Sequence, residues 1–397
     1  MTIARYLLRW TILASLVGVM AGTASAIFLV SLDAATITRE KQPWLVYLLP
    51  LGGLLIGWMY HWIGKDAERG NNLLLDEIHE PKNGVTPRLA PLILVTTVMT
   101  HLFGGSAGRE GTAVQMGGGL AANLGQLLRL ADIRLMIMCG ISGGFGAVFG
   151  TPIAGMVFGL EVLTVGRMRT EAVWPCLVAS VLGDWTCIAW TVKHLHYHAP
   201  DPLPLTPLLV GQLLLLALAC GLTAWTFAEV THRISHLFQS IGYAPLRPFV
   251  GGFVLLGLVA VVGTRDYLGL SLPLLTQSLD GDVVRFAFLW KLVFTALTLG
   301  SGFKGGEVTP LFVIGATLGH SMGVWFGLPP GYTAALGFVA VFGAAANTPL
   351  ACMVMGIELF GANLAVPLAM VCIGAYVTSG PGGIYSAQRR EAFMESH

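Results

Sequence analysis

The sequence is short of charge. Of its 397 residues, 22 are Lys or Arg and 21 are Asp or Glu, together 11%, where an ordinary soluble domain carries about 25%. So few charges cannot coat a soluble particle of this length. Net charge is almost absent as well, and +1 at pH 7 excludes a nucleic-acid binder that works through a basic surface. The six cysteines (Cys139, Cys176, Cys187, Cys220, Cys352 and Cys372) form no CxxC pair and have no metal-ligand spacing. All six fall in apolar segments, where cysteine acts as a small hydrophobe. A membrane-embedded enzyme is disfavoured for the same kind of reason: no HExxH, no Ser-His-Asp arrangement and no clustered metal ligands appear. No cofactor or metal is therefore expected.

What the chain has instead is apolar side chains and glycine. Hydrophobic residues make up 55% of it and the mean hydropathy is +0.73. Its 51 glycines are about twice the usual share of roughly 7%. They lie among long apolar runs without a three-residue period, which rules out both a disordered and a collagen-like chain. The bulk of the protein belongs in a lipid bilayer. At the amino terminus, Arg5 and Arg9 followed by an apolar run and Thr23-Ala24-Ser25-Ala26 imitate a cleavable signal. The run continues through Ile27-Phe28-Leu29-Val30, long enough for a full span. It reads as a retained first helix with its basic end in the cytoplasm. The last charged stretch, Arg389-Arg390-Glu391, lies close to the end of the sequence, and no soluble regulatory domain is expected.

Apolar segments of near-spanning length fall around 10–32, 44–63, 89–103, 134–163, 172–192, 206–228, 248–263, 286–299, 311–326 and 334–378. Polar connections are expected at 64–88, 128–134, 165–171, 193–204, 229–247 and 264–285. Several apolar runs are broken by Gly or Pro, notably at Gly104 to Gly111, Gly143 to Pro152, Gly300 to Pro310 and Thr348-Pro349. Backbone that leaves the helix within lipid must be buried in protein or line a polar cavity. The breaks are where function is expected.

The breaks repeat. Thr151-Pro-Ile-Ala-Gly-Met-Val-Phe-Gly-Leu-Glu161 returns as Thr348-Pro-Leu-Ala-Cys-Met-Val-Met-Gly-Ile-Glu358, an offset of 197. The same offset pairs Glu110 with Glu307, Thr112 with Thr309, Gly105 with Gly302 and Arg88 with Arg285. The chain thus divides into two homologous halves, 1–198 and 199–397. Interrupted segments at matching positions of two halves point to a transport site near the bilayer midplane.

The charge pair in Gly104-Gly-Ser-Ala-Gly-Arg-Glu-Gly-Thr112 lies between two apolar stretches. A carboxylate at membrane depth reads as a proton relay or ion gate; a loop at headgroup level, with Arg109 and Glu110 in water, is the alternative. Recurrence of the layout around Lys304 and Glu307 favours the first. The flanking glycines let a helix start there, with free N–H groups facing an anion.

Gly108-Arg-Glu-Gly-Thr112 resembles the GREGP signature of the CLC chloride channels and proton-coupled anion antiporters. Gly306-Glu-Val-Thr-Pro310 falls where that family has GxFxP, and the two Thr-Pro stretches resemble its paired helix starts. The resemblance runs from Gly70 to Tyr385, with the motifs in order. Three departures narrow it. Gly70-Asn71-Asn72-Leu73-Leu74 lacks the Ser and Pro of the family's GSGIP motif, the second signature ends in Thr112, and the third reads GEVTP. Together they resemble the fluoride/proton antiporter branch, CLC-F. Val162 follows Glu161 where chloride/proton exchangers have an internal proton-transfer glutamate, and the fluoride branch also lacks it.

The resemblance implies an all-α polytopic membrane protein. Its two halves would form an inverted repeat, with broken helices meeting at a central anion site. It implies Glu110 as the gating and proton-transfer glutamate, Asn71 as the selectivity residue, Thr309 as a hydroxyl donor and Tyr385 as the central tyrosine. Gly108, Arg109, Gly111 and Val308 complete the expected anion-binding set, with Glu307 and Thr112 as further possibilities. Neutral donors suit fluoride, because a full positive charge would hold it too tightly for release.

Plainer readings stand beside these. Asn71 is a natural helix cap near Leu73, and Thr309 before Pro310 is a natural N-cap. Tyr385 could be an interfacial aromatic, and Glu307 could pair with Lys304. Glu161 and Glu358 suit helix or inter-helix donors better than proton transfer. His194-Leu-His-Tyr-His198 beside Asp201 has metal-like spacing, but reads as a solvated loop between the halves. Phe103, Phe145 and Phe149 read as packing. The expected function is export of fluoride from the cytoplasm in exchange for protons; the alternative is a chloride or nitrate/proton exchanger, or a passive chloride channel, of the same fold. The expected setting is a bacterial-type inner membrane crossed many times, as a homodimer with both termini cytoplasmic.

Overall fold

The structure is a computed structural model, and it describes residues 3–81, 84–130, 132–194, 197 and 200–390. Among these lie sixteen α-helices, eight on each side of the 193–204 connection. The first eight are α1 (Ile3–Lys41), α2 (Leu49–Trp62), α3 (Asn71–His79), α4 (Leu89–Leu102), α5 (Glu110–Leu127), α6 (Arg134–Phe149), α7 (Pro152–Glu161) and α8 (Val173–Ala189). The rest are α9 (Pro207–Gln239), α10 (Leu246–Val262), α11 (Leu272–Asp280), α12 (Ala287–Gly300), α13 (Val308–Phe326), α14 (Pro330–Ala345), α15 (Pro349–Phe360) and α16 (Ala365–Ser379). Two two-residue strands, Thr164–Val165 and Arg389–Arg390, pair in parallel. Six stretches of the described residues are long and apolar enough to cross a bilayer, among them α1, α9 and α13.

Glycine explains how the inner helices come so close. Lipid tails are as apolar as leucine, so helices in a bilayer associate through close packing at small residues. A Cβ on Gly117 of α5 would sit 2.2 Å from the Gly140 carbonyl oxygen of α6, and one on Gly144 would sit 2.5 Å from that of Ala113. The pairs run in opposite directions, so α5 and α6 are antiparallel. The α13–α14 contact repeats this: Gly315 would meet the Gly337 oxygen at 2.1 Å, and Gly319 that of Thr333 at 2.2 Å. An alanine fits at none of these four glycine positions.

The broken segments follow local chemistry. Gly150 (φ 69°) and Asn347 (φ 55°) end α6 and α14 in the left-handed region, which Gly and Asn tolerate best. Each is followed by Thr and then by Pro152 or Pro349 at the first helical position, where a missing N–H costs nothing. Glu161, at the end of α7, accepts from the N–H groups of Leu350 (3.1 Å) and Ala351 (2.8 Å) at the start of α15. Glu358, near the end of α15, accepts from Ile153 (3.0 Å) and Ala154 (2.7 Å) at the start of α7. Each carboxylate satisfies the orphan donors of the other helix. Donor satisfaction is what these two glutamates do.

Four expectations change. The connections 64–88 and 264–285 contain the nine-residue helices α3 and α11. Helix α9 continues through 229–239, expected to be a polar link. His194 is not in a solvated loop: it packs over Gly150 and pairs with Asp184 at 3.3 Å. Tyr197 is inserted against the rings of Phe338 (5.5 Å) and Phe360 (5.9 Å). His196, His198 and Ala199, and with them the expected boundary between the halves, lie outside the described residues. No group of three or more possible metal ligands occurs among the described residues.

Candidate functional site

Two helix starts, one from each side of the chain, meet back to back. The Gly108 N–H donates to the Gly306 carbonyl at 2.6 Å and the Gly306 N–H to that of Gly108 at 2.9 Å, an antiparallel bridge. This contact leaves no room for side chains: a Cβ on Gly108 would lie 2.8 Å from Pro310 Cδ and one on Gly306 2.8 Å from the Gly111 nitrogen. The bridge takes up the Gly108 N–H, which is therefore turned to Gly306 and not to an ion.

Glu110 is the first residue of α5 and is fully buried. Its Oε2 accepts from the Thr309 N–H at 3.0 Å, from the Thr309 hydroxyl, and from the Arg109 N–H at 3.2 Å. Arg109 Nε reaches Oε1 at 3.3 Å. An anion at two helix starts satisfies donors that helices leave unpaired. The carboxylate thus occupies a cradle of N–H and O–H donors contributed by α5 and α13. Thr309 is the second residue of α13, behind Glu307 and Val308, so it is not the cap that Thr-Pro spacing suggested. Thr112, its counterpart at the offset of 197, bonds the Thr97 hydroxyl at 2.9 Å. Val308 stands in the first turn of α13 and is buried beside the bridge.

Asn71 does not cap α3 either. The cap position is Gly70, at φ 54° and ψ −123°, a combination that only glycine adopts readily. Asn71 is helical, and its side chain is turned inward with Oδ1 buried and unpaired among the described residues. A Cβ on Gly111 would meet Asn71 Nδ2 at 3.4 Å, Glu307 Oε2 at 3.4 Å and Gly306 Cα at 3.0 Å. Asn71, Gly111 and Glu307 therefore converge.

Next to them is a cavity of about 10 Å³ whose wall includes Asn71, Val114, Phe158, Val162 and Tyr385. That is the room one water-sized particle needs. Tyr385 is 6% exposed, so it is an interior residue and not an interfacial one. Val162 lines the same space, and no carboxylate stands there.

Glu307 differs from its counterpart. Its Oε2 is buried with no hydrogen-bond partner among the described residues, and it borders a cavity of about 800 Å³ that also meets His232, His236, Glu68 and Arg69. Lys304 is turned away from it: Nζ donates to the Glu68 carbonyl at 3.4 Å and lies 4.3 Å from the Tyr60 ring centre. The Lys304–Glu307 pair, the plainer of the two readings of Glu307, is not formed.

The aromatic residues flanking the motifs form a stack shared by both sides of the chain. Phe145 lies 4.3 Å from Phe158 and 6.4 Å from Phe342, and Phe149 meets Phe312 edge-on at 5.2 Å. Phe103 packs instead on Gly52. Tyr197, missed by sequence reasoning, reaches this stack from the connection between α8 and α9. Burial pushes its hydroxyl up to about 12, with Arg109 acting downward and Glu110 upward. Lys291, also missed, is the one fully buried lysine among the described residues. A single basic residue in an apolar run gives no sequence signal beyond its rarity.

A helical membrane protein with a buried carboxylate held between two opposed helix starts belongs to the class of ion transporters. The family model described as voltage gated chloride channel matches residues 52–380, and the chain belongs to that family. It is 49% identical over 393 residues to a chloride/fluoride channel protein of Pseudomonas syringae pv. tomato, covering 97% of this chain and 87% of the relative. The crystal structure of a CLC-type fluoride/proton antiporter superposes with a TM-score of 0.94 at 34% identity, over 98% of this chain and all of that one. A slow cyanobacterial chloride/proton antiporter shares the fold, with a TM-score of 0.82 at 20% identity over 95% and 96% of the two chains.

Proposed function

We propose that the protein exports fluoride from the cytoplasm in exchange for protons. The observation that carries the reading is the Glu110 carboxylate in its cradle, because a buried group that can be charged or protonated occupies donors that would equally hold an anion. When Glu110 takes up a proton it no longer needs those donors, and an anion replaces it on the Thr309 N–H and hydroxyl. When an anion leaves, the deprotonated carboxylate returns. One group then couples the two ions without a second carboxylate at Val162.

Fluoride is favoured over chloride by size and donors. The cavity beside Asn71 and Tyr385 accommodates a particle the size of water, which fluoride resembles, and its polar groups are neutral donors. Val308 and Gly111 add backbone N–H groups at the two helix starts, and Arg109 offsets the carboxylate charge. Glu307, facing the larger cavity, is assigned to ion passage between the inner water and the site. Thr112 is assigned no contact with the ion.

The chain is read as two inverted halves, 1–198 and 199–397, a reading supported by the antiparallel Gly108–Gly306 bridge and the reciprocal caps of Glu161 and Glu358. Arg5 and Arg9 support a cytoplasmic amino terminus, and the carboxyl terminus is assigned to the same side. A homodimer is proposed on the strength of the family resemblance. The deciding experiment is transport in liposomes, with fluoride and chloride electrodes and a pH readout. Fluoride movement with opposed proton movement supports the proposal. A protein that carries chloride as fast as fluoride is instead a chloride exchanger, or a chloride channel if protons stay still.

A further inference from the structure

Away from the Glu110 cradle, Lys291 on α12 is fully buried, with no counter-charge in contact among the described residues. Its Nζ lies 2.9 Å from Ser106 Oγ, 3.2 Å from the Tyr267 carbonyl, 2.8 Å from the Gly269 carbonyl and 2.9 Å from Ser271 Oγ. None of these is a carboxylate. Both carbonyls can only accept. The Ser271 hydroxyl gives its own hydrogen to the Leu268 carbonyl at 3.4 Å, and that of Ser106 is shared with Thr295 Oγ1 at 2.9 Å. An ammonium meets the two carbonyls and the two hydroxyl oxygens with its three N–H groups. Four oxygens around Nζ give an ammonium a partner for every N–H group.

A charge kept inside a membrane protein without an opposite charge is costly and is characteristic of ion pathways. The position of Lys291 fits such a use. Ser106 belongs to Gly104–Ala107, the segment that leads into Glu110. The same segment is fixed by Ser106 N–H on Thr298 Oγ1 (3.1 Å), by His101 Nε2 at the Ala107 carbonyl (3.0 Å) and by the Gly269 N–H on the Gly105 carbonyl (3.2 Å). No more than about 14 Å of chain separates the Cα atoms of Ser106 and Glu110. Arg39, which donates to the His101 carbonyl at 2.7 Å, adds a charge of the same sign. Asp33, Glu40 and Asp266 border a cavity of about 520 Å³ that Ser271 also lines, and none of them is hydrogen-bonded to Lys291 among the described residues.

We propose that Lys291 is a fixed positive charge that raises the anion affinity of the Glu110 site and holds Gly104–Ala107 in register. It acts through that segment and through its field, so it is a positioning residue. The inference deepens the transport reading and rests on it. At a separation on the order of ten ångströms and an effective dielectric of about 20, one unit charge changes anion affinity roughly tenfold.

The test is halide transport by the full chain in liposomes, with KM and maximal rate measured separately. Lys291→Met is expected to raise the KM for fluoride roughly tenfold and to change the maximal rate and the proton-to-fluoride ratio much less. A second pair of variants decides the matter even if the methionine protein does not fold. Ser271 stands at φ 57°, a backbone that Asp and Asn both tolerate. Ser271→Asp sets a carboxylate against the ammonium and cancels its field, so it should reproduce the rise in KM. Ser271→Asn has the same shape without the charge and should keep the KM of the wild type. Equal KM values for the Asp and Asn proteins overturn the proposal, as does a folded Lys291→Met protein with normal KM. A wild type that carries chloride alone would end the fluoride reading only, since the same comparison is then made with chloride.

Discussion

Glu110 and Glu307 occupy the same position in two matching segments, yet the structure gives them opposite surroundings. Glu110 is held by three donors and an arginine; Glu307 Oε2 is buried without a partner and borders the larger cavity. Their neighbours diverge in the same way, because Thr309 bonds Glu110 while Thr112 bonds Thr97. The Gly108–Gly306 bridge explains how this comes about. Two starts pressed together cannot both turn their side chains into one narrow space, so one carboxylate fills the cradle and the other is left at its rim. A repeat in sequence therefore sets where a residue sits but not what it binds.

The largest effect expected is at the occupied member of the pair. Glu110→Gln keeps the shape of the side chain but cannot carry a proton. Fluoride-driven proton movement in liposomes should be abolished, and normal coupled uptake by this variant would remove Glu110 from the mechanism. Thr309→Ala comes next. It takes from the cradle a hydroxyl whose bond to a charged group is worth roughly 1.5–3 kcal/mol, so fluoride turnover should fall about ten- to a hundredfold without a new ion preference. Asn71→Ser should act on choice and not on coupling. The shorter side chain enlarges the cavity beside Tyr385, and the fluoride-to-chloride rate ratio should drop while proton movement through Glu110 persists. An unchanged ratio would take selectivity away from Asn71.

How much of this contrast was legible in the sequence depends on what each feature needs. The long apolar runs marked α1 and α9, and the 197-residue offset marked the paired helix starts and the cross-capping glutamates. Helices α3 and α11 were hidden because nine residues with polar faces show no spanning pattern. Asn71 and Thr309 looked like caps because local spacing is all that a cap requires, and only the opposite half of the chain shows that Thr309 faces a carboxylate. Glu307 beside Lys304 looked like an ion pair for the same reason. Lys291 was a single basic residue in an apolar run, and its four acceptors come from positions 106, 267, 269 and 271. Long-range partners carry the site, and no short motif contains them.

The unoccupied member of the pair should give an intermediate effect. Glu307→Gln leaves the cradle intact but removes a titratable group from the rim of the large cavity. Coupled fluoride flux should slow by roughly tenfold, the scale of one charge acting across a partly screened distance, with proton movement reduced in proportion. Flux equal to the wild type would make Glu307 a buried bystander and would leave all coupling to Glu110.

The smallest effect should come from Thr112, the residue that matches Thr309 in sequence. Its hydroxyl is fully buried and, among the described residues, bonded to Thr97 alone, on the side of α5 that faces α4. Thr112→Val preserves its shape and removes one neutral hydrogen bond, leaving the Thr97 hydroxyl unpaired, at a cost of about 1–3 kcal/mol in stability. No donor to Glu110 or to the ion is lost. A thermal unfolding midpoint lowered by a few degrees, with fluoride rate, selectivity and proton coupling all unchanged, is therefore the expected result. A Thr112→Val protein that loses transport as Thr309→Ala does would show that the two threonines share one role, and the contrast between the two helix starts would have to be abandoned.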